Sequence, residues 1–141
     1  SGSQFLGLLV AILGIKYFWN SSTYISNEML PSKQVILVIL VFILPIIDTT
    51  SVFINRISRG QSPFVGGKDH TTHHLSFLGF NNTQIIFIFS GIAFLSSLIA
   101  AILYRFVTEW SYIQVILYII YFLGIFITLY LTTQQHKELR E

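Results

Sequence analysis

The chain has 141 residues, 53% of them apolar and only 10% charged, with a formal net charge of +2. A soluble domain carries roughly 25% charged residues to face water, so lipid is the better solvent for this chain. The charge is too small and too dispersed for a nucleic-acid partner, and the absence of cysteine excludes disulfide and thiolate chemistry.

Four apolar runs follow in order, at about residues 4–19, 35–54, 85–104 and 112–132. A helix needs about 20 apolar residues to cross the hydrocarbon, and the last three runs satisfy that. Backbone groups in lipid must be satisfied internally, so these runs predict an all-α integral membrane protein with four transmembrane helices. The start at Ser1-Gly2-Ser3 has no Met and no basic flank, so the first run does not resemble a signal peptide. The chain is expected to be a piece of a larger polytopic bundle, with further spans ahead of it.

The second run carries two exceptional residues. Pro45 has no N–H to give to the Val41 carbonyl, which predicts a kink. Asp48 follows in the same run, where burial in lipid costs roughly 2.5 to 3.5 kcal/mol, so it is expected to face protein or a wet cleft. A plainer role is to cap a helix that restarts after Pro45.

Span parity places the segment 55–83 and the tail after 132 on one face of the membrane. Arg56, Arg59, Lys68, Lys137 and Arg140 fall on that face, and Lys16, Lys33 and Arg105 on the other. The bias makes the segment 55–83 cytoplasmic. Tyr17, Trp19, Trp110 and Tyr112 predict an aromatic belt at the opposite headgroup level.

The segment 55–83 holds Lys68-Asp69-His70-Thr71-Thr72-His73-His74-Leu75, with three of the chain's four histidines. Asp69 is placed to cap a short helix from His70 to Leu78 that ends at Gly79, and Asn81, Asn82 or Thr83 to cap the third span. On such a helix His70, His73 and His74 share a face. Three readings are open: a solvated interfacial segment, a zinc site using His70 and His74, or a phosphate site helped by Lys68, Arg56 and Arg59. Gly66-Gly67-Lys68-Asp69 is not a phosphate loop, because Asp69 replaces the Ser or Thr and no strand precedes it.

Taken together, Pro45-Ile46-Ile47-Asp48-Thr49 with Arg56 beyond, and His70-Thr71-Thr72-His73-His74-Leu75 with Gly79 beyond, resemble a known family. It is that of the polyprenyl-phosphate N-acetylhexosamine-1-phosphate transferases, of the WecA and TagO type, with the MraY translocase more distant. Ser1 to Gly7 also looks like the tail of the family's Gly-Asp-x-Gly-Ser motif. The resemblance implies transfer of a sugar 1-phosphate from a UDP-sugar to polyprenyl phosphate, releasing UMP, at a Mg2+ site on the cytoplasmic face of the plasma membrane. The family's metal-binding carboxylates are expected upstream of Ser1, so this chain carries only part of the site and no metal ligand.

On that reading His73 is the catalytic contact to the diphosphate. His70, His74, Arg56 and Lys68 bind substrate, and Asp48 and Asp69 support the segment. Thr72 stands where the translocase has the first His of its triple motif. Expected partners are the UDP-sugar, polyprenyl phosphate, membrane lipid and the remaining N-terminal spans; the sequence allows a homo-oligomer without specifying one. The rival reading is a transporter or channel subunit with an Asp/His ion or proton path. That would call for polar residues through several spans, whereas the third and fourth offer only Ser90, Ser96, Ser97 and Thr128.

Overall fold

The computed structural model describes the backbone of residues 2–19, 30–64 and 70–138, and their side chains apart from 2–6, 10, 18–19, 30 and 135–138. Lys68 and Asp69 therefore lie outside the described residues, as do 20–29. Every element among the described residues is helical: α1 (Gly2–Leu13), a π-helical continuation (Gly14–Trp19), α2 (Leu30–Val41), α3 (Ile43–Ser58), α4 (Thr71–Phe77), α5 (Asn82–Phe106) and α6 (Tyr112–Glu138).

α5 and α6 contain the long apolar stretches, Asn82–Phe106 and Tyr112–Gln134, and each is long enough to cross a membrane. α5 begins in a capping box: Asn81 Oδ1 accepts from the Gln84 N–H at 2.8 Å, and Gln84 Oε1 accepts from the Asn81 N–H at 2.9 Å. Of the three capping candidates in the sequence, Asn81 is the one used.

The predicted second span is two helices, α2 and α3, bent by 81° at Phe42. Pro45 explains why a break occurs, since its ring removes the bond to Val41 and crowds that carbonyl. Packing sets its direction. Ile36, Leu37 and Leu40 of α2 pack with Ala100, Leu103 and Trp110, whereas Ile43 and Ile47 of α3 pack with Leu129 of α6. Between helices in lipid this is mainly van der Waals packing, which is lost if either half swings away. Gly14 is tight against the bend, because a Cβ there would lie 3.2 Å from the Phe42 ring.

The bent pair still connects the two ends of the α5–α6 hairpin. At one end Lys33 of α2 donates to the Val107 carbonyl, and Trp110 Nε1 donates to Ser32 Oγ at 2.8 Å. At the other, Asn55 of α3 bonds to Thr133 and Gln134 of α6. Among the described residues, α5 and α6 are long and apolar enough to cross a membrane, and the bent pair counted as one span makes a third, while Gly7–Tyr17 is a shorter apolar helix.

Of the aromatic residues expected at a belt, Trp19 lies outside the described side chains. Tyr17 and Tyr112 are exposed, but Trp110 is buried and stacks on Tyr118 with ring centroids 6.0 Å apart. The bend lays the start of α2 over the α5–α6 turn, and this turns the indole inward.

Candidate functional site

Two glycines shape the end of the molecule opposite that turn. Gly60 (φ +66°) follows α3, with its N–H bonded to the Ile57 carbonyl and the Gln61 N–H to the Arg56 carbonyl, both at 2.9 Å. Gly79 (φ +93°) follows α4 in the same pattern, to Ser76 and Leu75. These are Schellman stops, which need a left-handed residue that glycine supplies at least cost. Gly79 ends α4 as its position in the sequence indicates.

α4 has only seven residues, too few to persist alone, and its N-cap residue His70 makes no side-chain cap bond. The cap comes from 23 residues away. Asp48 Oδ1 accepts from the Thr71 N–H at 2.8 Å, the first orphan donor of α4. Its other oxygen, Oδ2, lies 2.8 Å from His70 Nδ1. Asp48 is thus neither a lipid-facing charge nor the cap of its own helix. An ionised carboxylate requires a proton on His70 Nδ1, which leaves Nε2 at the far edge of a ring whose side chain is 54% exposed.

The three histidines do not share one face. Thr71, His74 and Leu75 form the buried stripe of α4, spaced three and four residues apart, so His74 turns into the bundle and its ring meets the Phe77 ring edge-on at 6.5 Å. His70 and His73 stay exposed with ring centroids 6.4 Å apart. The difference arises because α4 starts at Thr71, which leaves His70 at the cap with extended backbone. Among the described residues no three His, Asp or Glu side chains converge on a point that could hold a metal ion.

Arg56 is in the last turn of α3, within the helix and not in a loop, and is 5% exposed. Its Nη1 donates to the Ser62 carbonyl at 3.5 Å, tying down the turn that Gly60 begins. The structure therefore joins Asp48 to His70, sets the His73 ring beside His70 at an exposed surface, and buries Arg56 and His74. Two further hydroxyls, Ser51 Oγ and Thr71 Oγ1, are buried without a protein hydrogen-bond partner.

The sequence reading missed Asn55, which is 1% exposed and bonded to both Thr133 and Gln134. A signal existed. Ile43, Ile47, Ser51 and Asn55 recur every fourth residue, all are buried, and the stripe changes from apolar to polar at Ser51.

The chain is similar to a protein described as "Probable undecaprenyl-phosphate N-acetylglucosaminyl 1-phosphate transferase" from Bacillus subtilis (strain 168), at 30% identity over 125 residues. The match takes in 89% of this chain and 32% of the relative, so the chain spans about a third of the length of the protein it resembles. No protein-family model matches the chain, and no solved structure gives a significant match. The motifs around Asp48 and His70–His74 resemble those of the polyprenyl-phosphate N-acetylhexosamine-1-phosphate transferases, and the relative that the chain matches over this stretch is described in the same terms.

Proposed function

We propose that this chain is part of a membrane enzyme that transfers a sugar 1-phosphate, of the N-acetylhexosamine class, from a UDP-sugar to polyprenyl phosphate with release of UMP. The observation that carries this reading is the Asp48 clamp. One carboxylate both starts α4 and orients His70, so that two exposed imidazoles stand 6.4 Å apart at one end of the bundle. Transfer between phosphates calls for charge neutralisation and positioning more than for a reactive protein atom. His73 supplies such a donor for the diphosphate of the UDP-sugar, and His70, its Nδ1 held by Asp48, presents Nε2 to the same substrate as an acceptor. Arg56, by holding the Ser62 turn, and His74, by packing α4, support the site, and Lys68 and Asp69, outside the described residues, are assigned to substrate binding and to support from the sequence motif alone. The described residues do not fit a Mg2+ site, since both Asp48 oxygens are already engaged by His70 and Thr71. The ligands of that ion belong outside them. The active face is assigned to the cytoplasm from the Lys/Arg bias.

The test is UDP-sugar-dependent UMP release by the full-length parent protein in detergent with polyprenyl phosphate and Mg2+. Release with a UDP-N-acetylhexosamine, lowered on the order of 10² to 10³ in kcat/KM by His73→Ala, is the expected result. Wild-type protein that releases no UMP from any UDP-sugar would refute the proposal.

A further inference from the structure

We infer that Asn55 is a positioning residue of the transferase site, locking the last turn of α3 to the end of α6 so that the His-bearing α4 keeps one fixed spacing from α3. The inference rests on the transferase reading for its kinetic consequence, but its geometric content stands separately.

Both ends of the Asn55 carboxamide are used. Nδ2 donates to Thr133 Oγ1 at 3.0 Å, and Oδ1 accepts from Gln134 Nε2 at 2.7 Å. The amide has only one satisfying orientation, because Thr133 already spends its hydroxyl proton on the Tyr130 carbonyl at 2.7 Å and is left as an acceptor. Asn55 and Thr133 are each 1% exposed. An apolar pair would fill such a space without the desolvation cost of an amide, but it would tolerate sliding. Two directed bonds accept a single register.

That register matters because three elements close on one another. α4 packs against α6 as well as α3. α3 grips α4 through Asp48, and Asn55, two turns further along α3, grips α6. Arg56 follows directly and holds the Ser62 turn. The end of α6 is thus the platform on which α3 and α4 are set relative to each other. The Asn55 bonds thus act together with the Asp48 clamp to fix the position of His70 and His73 over α3.

The experiment uses the full-length parent protein with Asn55→Leu and, as a gentler variant of the same contact, Thr133→Val. Spin labels at Ile57→Cys on α3 and Thr72→Cys on α4, in a cysteine-free background, report the α3–α4 distance distribution by pulsed electron resonance. Both variants are expected to broaden it. In unlabelled enzyme both lower kcat by about 10- to 100-fold per folded molecule, the scale of a small misplacement, with KM for the UDP-sugar changed by less than about threefold. The double variant is no worse than Asn55→Leu alone, since the two residues share one contact. An unchanged distance distribution in both variants would overturn the inference, and so would a wild-type kcat per folded molecule. If the wild-type protein releases no UMP, the transferase reading fails while the label distances still decide the positioning.

Discussion

Asp48→Ala and Asp48→Asn separate two jobs done by one carboxylate. Oδ1 satisfies the Thr71 N–H, whose loss as a helix cap costs about 1 kcal/mol. Removing negative charge from the start of α4 adds about 0.5 kcal/mol. The bond to His70 contributes about another 0.5 kcal/mol, a small figure because the imidazole is half exposed. Asp48→Ala is therefore expected to destabilise α4 by about 2 kcal/mol. At 1.4 kcal/mol per tenfold, that lowers amide-exchange protection across Thr71–Phe77 by roughly 30-fold, whereas the centre of α5 is unaffected.

Asp48→Asn is expected to behave differently. Its carbonyl still accepts from Thr71, so α4 keeps most of its protection. Its NH2, however, now faces His70 Nδ1 and makes that nitrogen an acceptor, which moves the ring proton to Nε2. The presented edge of His70 is inverted with the helix intact. UMP-release assays on the full-length parent should show kcat/KM lowered on the order of 10² in Asp48→Asn, and the nitrogen shifts of His70 should report the exchanged tautomer. Activity within twofold of wild type in Asp48→Asn would refute the tautomer argument. Unchanged α4 protection in Asp48→Ala would refute the clamp.

Three other outcomes are expected. His74→Ala should cost about 2 kcal/mol of stability, because a buried ring leaves a cavity against Phe77, whereas the exposed His73→Ala should leave thermal unfolding within about 0.5 kcal/mol of wild type; equal unfolding shifts would contradict the split of the cluster. Gly14→Ala places a methyl 3.2 Å from the Phe42 ring and should destabilise by about 1 kcal/mol, seen as a lower unfolding temperature, whereas Gly7→Ala, with open space around it, should not. Thiol labelling of Asn81→Cys and Thr108→Cys in the full-length protein should occur from opposite sides of the membrane, position 81 from the cytoplasm; labelling of both from one side would show that α5 does not cross.

Much of the hairpin was legible in the sequence, because lipid permits so few conformations: the runs 85–104 and 112–132 sit inside α5 and α6, and Asn81 marks the start of α5, just after Gly79 ends α4, by local chemistry. The second span was legible only as far as its break. Pro45 says that a helix yields there, but the 81° angle follows from Trp110, Lys33 and Leu103 holding α2 at a distance in sequence that no local pattern reveals. The histidines show the same limit. Spacing at three and four residues places His70, His73 and His74 on one face only if all three are inside the helix, and the acceptor that starts α4 one residue later is Asp48, from another element. Its partnership with His70 was foreshadowed by a carboxylate stranded in an apolar run, but the partner's identity was not.

The placement of polar groups also bears on the choice between a transferase and a transporter. A conduction path needs hydroxyls and titratable groups with unspent hydrogen-bonding capacity along the length of the bundle. Halfway along α5, Ser96 is buried and paired with the Tyr121 hydroxyl at 2.8 Å, and Thr128 of α6 donates to the Gly124 carbonyl in its own helix at 2.8 Å. At the α2 end, Lys33 and Trp110 are spent on Val107 and Ser32. The α3 stripe repeats the asymmetry within one helix, apolar at Ile43 and Ile47 where it faces the middle of α6, polar at Ser51 and Asn55 where it approaches α4. Among the described residues, exposed imidazoles occur only beyond that point, at and just after the N-cap of the short helix that Asp48 caps. Apart from Ser51 and Thr71, the polar groups just named in the bundle interior are thus spent on bonds within it, and the exposed imidazoles gather at one end of the bundle, which is the arrangement the transferase reading expects.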